Sequence, residues 1–285
     1  MKKLLLPTIA VFLFASANAQ SGWVKAKNEY YLKLEYQSYK ADKFHTIDGK
    51  VVTTSPFTEN SVFIYNEYGL GKNWGINTTL PILKAHMYHT TNTVANIGDL
   101  RVELKYALLK KKFPVAISIA PELPTGAKNL FAINKQSPNE KINIPTGDGE
   151  LNVWTTVAVS HSFYPTPMYT SFHVAYNYRT KFEGVKFKNQ FQSAFELGYK
   201  LNSSLWLSTR IYVLNSLGQQ QQTSNFTRGD GTNFTSVAVQ AAYEIGKRYA
   251  VSLQYSNSNS LIVKSKNNYQ SNVLSIGVAR STKRK

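Results

Sequence analysis

Residues 98–109 read GDLRVELKYALL, with Leu100, Val102, Leu104, Tyr106 and Leu108 on one parity and Asp99, Arg101, Glu103, Lys105 and Ala107 on the other. A period of two places the two sets on opposite faces of an extended strand. Helical spacing would mix charge and leucine on every face. Twelve stretches carry this alternation, over residues 29–39, 60–70, 74–84, 98–109, 113–123, 150–163, 169–179, 189–201, 205–214, 234–245, 249–258 and 271–281. Most have the ~9–11 residues with which a tilted strand crosses a bilayer, and ordinary soluble strands average about half that. Alternation alone leaves the inner face undecided. A soluble sheet hides its leucines from water, whereas an outer-membrane barrel turns them to lipid and encloses its charges.

The connections favour the second arrangement. Short links at 71–73, 110–112, 164–168, 202–204 and 246–248 alternate with longer ones at 40–59, 85–97, 124–149, 180–188, 215–233 and 259–270. Such sorting predicts an all-β fold, a closed antiparallel transmembrane β-barrel of about 12 strands with short periplasmic turns and long extracellular loops. Aromatic residues cluster at the turn ends (Tyr30, Tyr68, Trp74, Tyr106, Phe113, Phe163, Tyr169, Tyr199, Tyr243, Tyr249) and at the loop ends (Tyr36, Tyr39, Phe57, Tyr88, Tyr178, Phe191, Tyr212, Tyr255). Two belts at headgroup level are expected of a spanning barrel, although Tyr39 and Tyr212 fall on the inward parity.

With the apolar parity outward, Leu32, Leu34, Ile76, Leu80, Ile117, Ile119, Val157, Val159, Val237, Val239, Val251, Leu253, Leu274 and Ile276 face lipid. The charged residues left to line the lumen are Lys33, Glu35, Glu67, Arg101, Glu103, Lys105, Glu122, His173, Arg179, Glu196, Lys200, Arg210 and Glu244. Gly75, Ser118, Ala158, Ala194, Gly198, Ser252 and Gly277 fill much of the remaining lumen. The second strand fits least well, because Phe63 and Tyr65 share parity with Glu67.

The amino terminus adds a compartment. Lys2 and Lys3 precede an apolar run over 4–15 and an Ala17-Asn18-Ala19 site. These are the three parts of a cleaved secretory signal peptide. Residues 1–19 are thus expected to be removed, leaving 20–285 as one domain. The apolar run falls short of the roughly 20 residues of a spanning helix. The formal charge of +17 includes Lys2 and Lys3, leaving +15 on the mature chain. That charge is dispersed over turns, loops and strands rather than gathered in a block, which with export argues against nucleic acid. Outer-membrane lipid, lipopolysaccharide and a small-molecule solute are the expected partners, in the outer membrane of a Gram-negative-type bacterium. There is no cysteine, so disulfides and thiol chemistry are excluded.

Catalysis and metal binding find little support. Ser160, His161 and Ser162 are the best nucleophile and base candidates, but adjacent strand residues point to opposite faces. His86 and His89 are expected in one loop with no carboxylate beside them. Asp148 with Glu150, and Asp230 between Gly229 and Gly231, are explained by Asp-Gly turns and do not fit the twelve-residue calcium loop. Gly69-Leu70-Gly71 does not continue into a phosphate-binding pattern. No catalytic, cofactor-binding or metal-binding residue is expected.

Gly98-Asp99-Leu100, Glu122-Leu123-Pro124-Thr125-Gly126 and Thr146-Gly147-Asp148-Gly149, in that order, resemble the outer-membrane barrels named for the meta-cleavage pathway of phenol degradation. The similarity spans roughly residues 65–212. Those proteins are distant relatives of the long-chain fatty-acid transporter barrels, and the resemblance implies passage of small hydrophobic or aromatic compounds. It supplies no catalytic residues. The chain ends Ser281-Thr282-Lys283-Arg284-Lys285 rather than on the terminal aromatic common in such barrels. The expected function is a channel or transporter for small solutes, with residues 124–149 as the candidate lid or constriction. The alternatives are a non-conducting barrel that binds through its extracellular loops and, from another class, a barrel enzyme of the phospholipase type.

Overall fold

A computed structural model describes residues 20–218 and 230–282. The expected signal peptide, the glutamine run 219–222, Gly229 and residues 283–285 lie outside these. Among the described residues there is no helix, and twelve long strands are the main elements. They are β1 Tyr30–His45, β2 Val51–Gly69, β3 Trp74–Tyr88, β4 Leu100–Leu109, β5 Val115–Leu123 and β6 Asn152–Ser162. The second half comprises β7 Met168–Arg179, β8 Gln190–Lys200, β9 Leu205–Ser216, β10 Phe234–Ile245, β11 Tyr249–Asn259 and β12 Asn268–Ser281. Each pairs antiparallel with its neighbours in the chain. β1 also pairs with β12, from Tyr31 opposite Ser281 to His45 opposite Asn268, which closes the sheet and leaves it without an edge.

The inversion read from parity is present in the side chains. Leu34, Leu253 and Ile276 are 51%, 52% and 51% exposed, while Glu103 and Lys105 are each 6% exposed. On β4 the buried positions are Glu103, Lys105 and Ala107, and Leu104 and Leu108 lie on the exposed side. A core of meeting leucines is not how this sheet is held together. Its backbone ladders close on themselves, and its inner face packs small and polar side chains.

Several boundaries differ from the alternation. β1 runs on to His45 and β2 begins at Val51, so the expected long link at 40–59 is mostly paired strand ending in a turn at Gly49, whose φ is 78°. Polar and apolar residues mixed on both faces hide this extension from a parity count, because beyond a lipid belt neither face needs to be apolar. β3 likewise continues to Tyr88. It carries an extra residue: Val62 stands opposite Leu83 but Phe63 opposite Pro81, leaving Ile82 bulged. A bulge of one residue switches which parity faces inward. Ile82 and Leu83 are both exposed, and beyond them Lys84, His86 and Tyr88 turn inward in place of the odd-numbered positions.

Candidate functional site

The inner face is a lattice of charge. Glu196 stands opposite Arg210 in the ladder, and its carboxylate accepts from the guanidinium. Lys33 and Glu35, two apart on one face, form a second pair. Lys200 reaches Glu244 at 2.8 Å, and Trp206 Nε1 donates to the same carboxylate at 3.2 Å. Arg179 and Glu150, each 2% exposed, meet at 2.5 Å between Nε and Oε1. Burial pushes the Glu150 carboxyl up to about 8, against the pull of Arg179. Glu103 accepts from Asn77 at 2.8 Å and Ser118 at 2.5 Å. His173 and Gln192 bond at 2.8 Å, and Glu67 pairs with Lys25 at 3.3 Å. Lys105 is buried near Glu103 and Glu67. A further group, Glu59 with Lys84 and His86, lies on the same inner face.

Arg101 differs from Arg179 and Arg210. It lies opposite Glu122 in the ladder, yet among the described residues it makes no ion pair, and its Nη2 is buried without a hydrogen-bond partner. Its guanidinium sits 5.1 Å from the centre of the Trp154 ring. Two lumenal cavities share Arg101 and Tyr39. One, of about 470 Å³, reaches toward the loops past Phe57, Phe63, Tyr88 and residues 144–148. The other, of about 360 Å³, runs between Trp154, Tyr212 and Phe234 on one side and Ser236, Ser256, Ser258 and Ser271 on another.

The inward aromatics correct part of the belt reading. Trp74, Phe113, Tyr178, Tyr199, Tyr243 and Tyr249 are exposed as a belt requires. Tyr169 instead donates to Glu196 at 2.5 Å and packs edge-on against Trp23. Phe57 and Tyr88 pack on each other and on Tyr269 inside the barrel. The bulge in β3 accounts for Tyr88, and Phe57 shares its parity with Glu59 across a stretch of β2 without a register shift.

Three motifs far apart in sequence meet at the loop end of β4. Asp99 accepts from Gly126 N at 2.8 Å and Asp148 N at 2.7 Å. The Thr125 hydroxyl donates to Gly98 O at 2.8 Å and accepts from Leu100 N at 2.9 Å. The Thr146 hydroxyl donates to Ile97 O at 2.8 Å. Gly126 and Gly147 touch so closely that a Cβ on either would lie 2.8 Å from the other's Cα, which is why neither position tolerates a side chain. This cluster ties the 124–149 loop, with its hairpin of Phe131–Ile133 and Lys141–Asn143, over the larger cavity. Asp99, Glu122 and Asp148 bring carboxylate oxygens within 4.8 Å of one another, and the two backbone donors to Asp99 account for its placement.

The opposite mouth is crossed by a segment that the alternation did not reveal. Residues 20–29 run inside the turn-side rim. Gly22 N donates to Ser160 Oγ at 2.8 Å, Trp23 packs on Tyr169, and Lys25 pairs with Glu67. The strap lies directly on Gly69, where a Cβ would come within 1.8 Å of Ala26 O. Gln20, 6% exposed, ends in the smaller cavity. The only sequence signal for it is a short non-alternating stretch with Gly22 and Trp23 ahead of β1.

The nucleophile candidates remain apart. Ser160 faces inward and bonds Ser171 at 2.7 Å, whereas His161 faces outward between Phe113 and Phe163. His86 is on β3 rather than in a loop, and the expectation that no carboxylate stands beside it is overturned by Glu59 at 2.8 Å. Asp230 accepts from Lys188 N at 2.6 Å and its carbonyl accepts from the Asn267 side chain, so it ties loop segments together.

No family model matches the sequence, and no curated protein does. Solved structures do match. The chain is similar to an outer membrane channel from Pseudomonas putida F1, with a TM-score of 0.71 at 13% identity over 94% of this chain and 100% of that one. It is similar to the translocator domain of the autotransporter NalP from Neisseria meningitidis, with a TM-score of 0.55 at 10% identity over 90% and 89%. The NanC porin follows with a TM-score of 0.54 at 12% identity over 87% and 98%. At such identities the likeness establishes the fold, a closed antiparallel barrel of the kind outer-membrane proteins use.

Proposed function

We propose that this protein is an outer-membrane channel for small solutes, hydrophobic or aromatic compounds among them. The observation that carries the reading is the inversion of the sheet, with leucine and isoleucine outside and ion pairs and cavities enclosed. A water-soluble barrel gains nothing from that arrangement, and lipid demands it. Similarity to a channel and a porin supports the same class. The resemblance to the phenol meta-cleavage barrels supports hydrophobic or aromatic solutes, as do the aromatic walls around Tyr39 and Trp154. The expected orientation puts the short turns and both termini in the periplasm, after removal of the signal peptide.

The test is conductance of the mature chain in planar bilayers. Discrete current steps are expected, and neutralising Arg101 and Arg210 together shifts the reversal potential in a salt gradient toward cations. Absence of current from correctly folded protein, or an unmoved reversal potential, counts against the channel. One observation favours the non-conducting alternative: the strap lies across one mouth and the tied loop over the other. Current that emerges only on removing the strap identifies a closed channel, and none in either form identifies a barrel that binds without conducting.

A further inference from the structure

The smaller cavity contains two buried donors with nothing to donate to. Among the described residues, Arg101 Nη2 and Trp154 Nε1 both lack a hydrogen-bond partner, and both residues line the same space of about 360 Å³. Trp154 is only 8% exposed. Unmet buried donors are uncommon, because each forfeits the hydrogen bond it had in water. The other lumenal arginines do not share the condition, since Arg179 and Arg210 are held by Glu150 and Glu196. Tyr212 and Phe234, tilted against each other with ring centroids 5.6 Å apart, supply an apolar wall.

We propose that this cavity is a binding site for a small organic carboxylate with an apolar, ring-sized body. The carboxylate would accept from the guanidinium of Arg101 and the indole N–H of Trp154, while the body packs on Tyr212 and Phe234. A guanidinium presents donors in a planar fork that suits a carboxylate. The cavity volume lies within the roughly 300–1,000 Å³ typical of small-molecule sites. Glu122, opposite Arg101 in the ladder, lines the larger cavity rather than this one, and the apolar wall of Tyr212 and Phe234 favours benzoate over acetate. The inference deepens the channel reading by naming a solute class that pauses in the smaller cavity, and it rests on that reading for its physiological meaning.

The test is calorimetric titration of the mature protein in detergent micelles with benzoate, and with benzyl alcohol as its uncharged counterpart. Benzoate is expected to bind at least about tenfold more tightly than benzyl alcohol, the effect of one charge-assisted hydrogen bond. Arg101→Gln should abolish that preference. Trp154→Phe, which keeps a ring and removes the donor, should weaken benzoate alone. Equal affinities for the two compounds, no saturable benzoate binding, or an Arg101→Gln variant that still prefers benzoate overturns the proposal. If Arg101→Gln fails to fold, the ligand comparison on the wild type and Trp154→Phe still decides. Titration does not depend on current: a conducting barrel that ignores benzoate sinks the site alone, and one that binds benzoate without conducting sinks the channel alone.

Discussion

Leu253 offers the sharpest test of which side of this sheet is wet. It lies near the middle of β11, 52% exposed, opposite Ile276 on β12, itself 51% exposed, and Ala241 on β10. Leu261, in the link after β11, is 68% exposed. In water the two positions are near-equivalent, and a charge at either would change stability by no more than about 0.5 kcal/mol. In a bilayer they differ. Arginine on the lipid face near the midplane destabilises a barrel by about 2–4 kcal/mol, falling to about 0–1 at the interface. Leu253→Arg is therefore expected to lower the folded-to-unfolded ratio roughly 30- to 700-fold, and Leu261→Arg by less than about fivefold. Urea titrations of both variants refolded in phosphatidylcholine vesicles, followed by tryptophan fluorescence, measure the difference. Equal midpoints and slopes for the two variants would refute the lipid-facing assignment, because exposure alone ranks Leu261 as the freer site.

Removing residues 20–28 is expected to raise single-channel conductance, since the strap then no longer crosses the turn-side mouth; unchanged current would show that it does not limit flow. Asp99→Ala deletes the carboxylate that holds Gly126 N and Asp148 N. Bonds to a charged group contribute about 1.5–3 kcal/mol each, so trypsin should cut at Lys128, Lys135 or Lys141 at least about tenfold faster, and wild-type rates would show that the loop is held elsewhere. Glu150 tests burial by pH. Its folded value lies above the ordinary carboxylate value of 4.5, at about 8, so its contribution is full below about 4.5 and is lost as pH rises toward about 8. Unfolding free energies of wild type minus Glu150→Gln should fall across that window, and a flat difference would mean the carboxylate is as comfortable folded as unfolded.

Strand number, closure and the inverted faces were legible because lipid imposes a strict period of two wherever the wall is greasy. Leu32, Leu34, Leu253 and Ile276 obey it, and so do the enclosed Glu103 and Lys105. The period says nothing where that constraint lapses. Residues 40–45 and 51–59 are mostly paired strand, yet they mix polar and apolar residues on both faces, and they read as loop. The bulged Ile82 shifts β3 by one, so counting outward from the middle of the strand sends His86 and Tyr88 to the wrong side. The strap is less visible still. It is irregular chain bound by Ser160, Tyr169, Glu67 and Gly69, and each of those residues had a sufficient role in its own strand. The site shows the same division. Parity placed Arg101 inside, but it did not single out Trp154 or show that, among the described residues, Arg101 Nη2 and Trp154 Nε1 lack partners in one cavity.

The short motifs that carried the family resemblance gain a physical explanation from the fold. Each segment alone looks like an ordinary turn. Together Asp99, Thr125, Gly126, Thr146 and Gly147 make one cluster that needs an acceptor, two hydroxyls and two residues without side chains. Asp99 begins at the foot of the strand that carries Arg101, two residues further on. The tie that positions the loop therefore also fixes the strand presenting Arg101, and Asp148 on the loop lies close enough to act on Glu122, Arg101's ladder partner. Loop position and the charge balance around Arg101 are in this way one mechanical unit. A solute that engages Arg101 would act on the same network that holds the loop over the larger cavity.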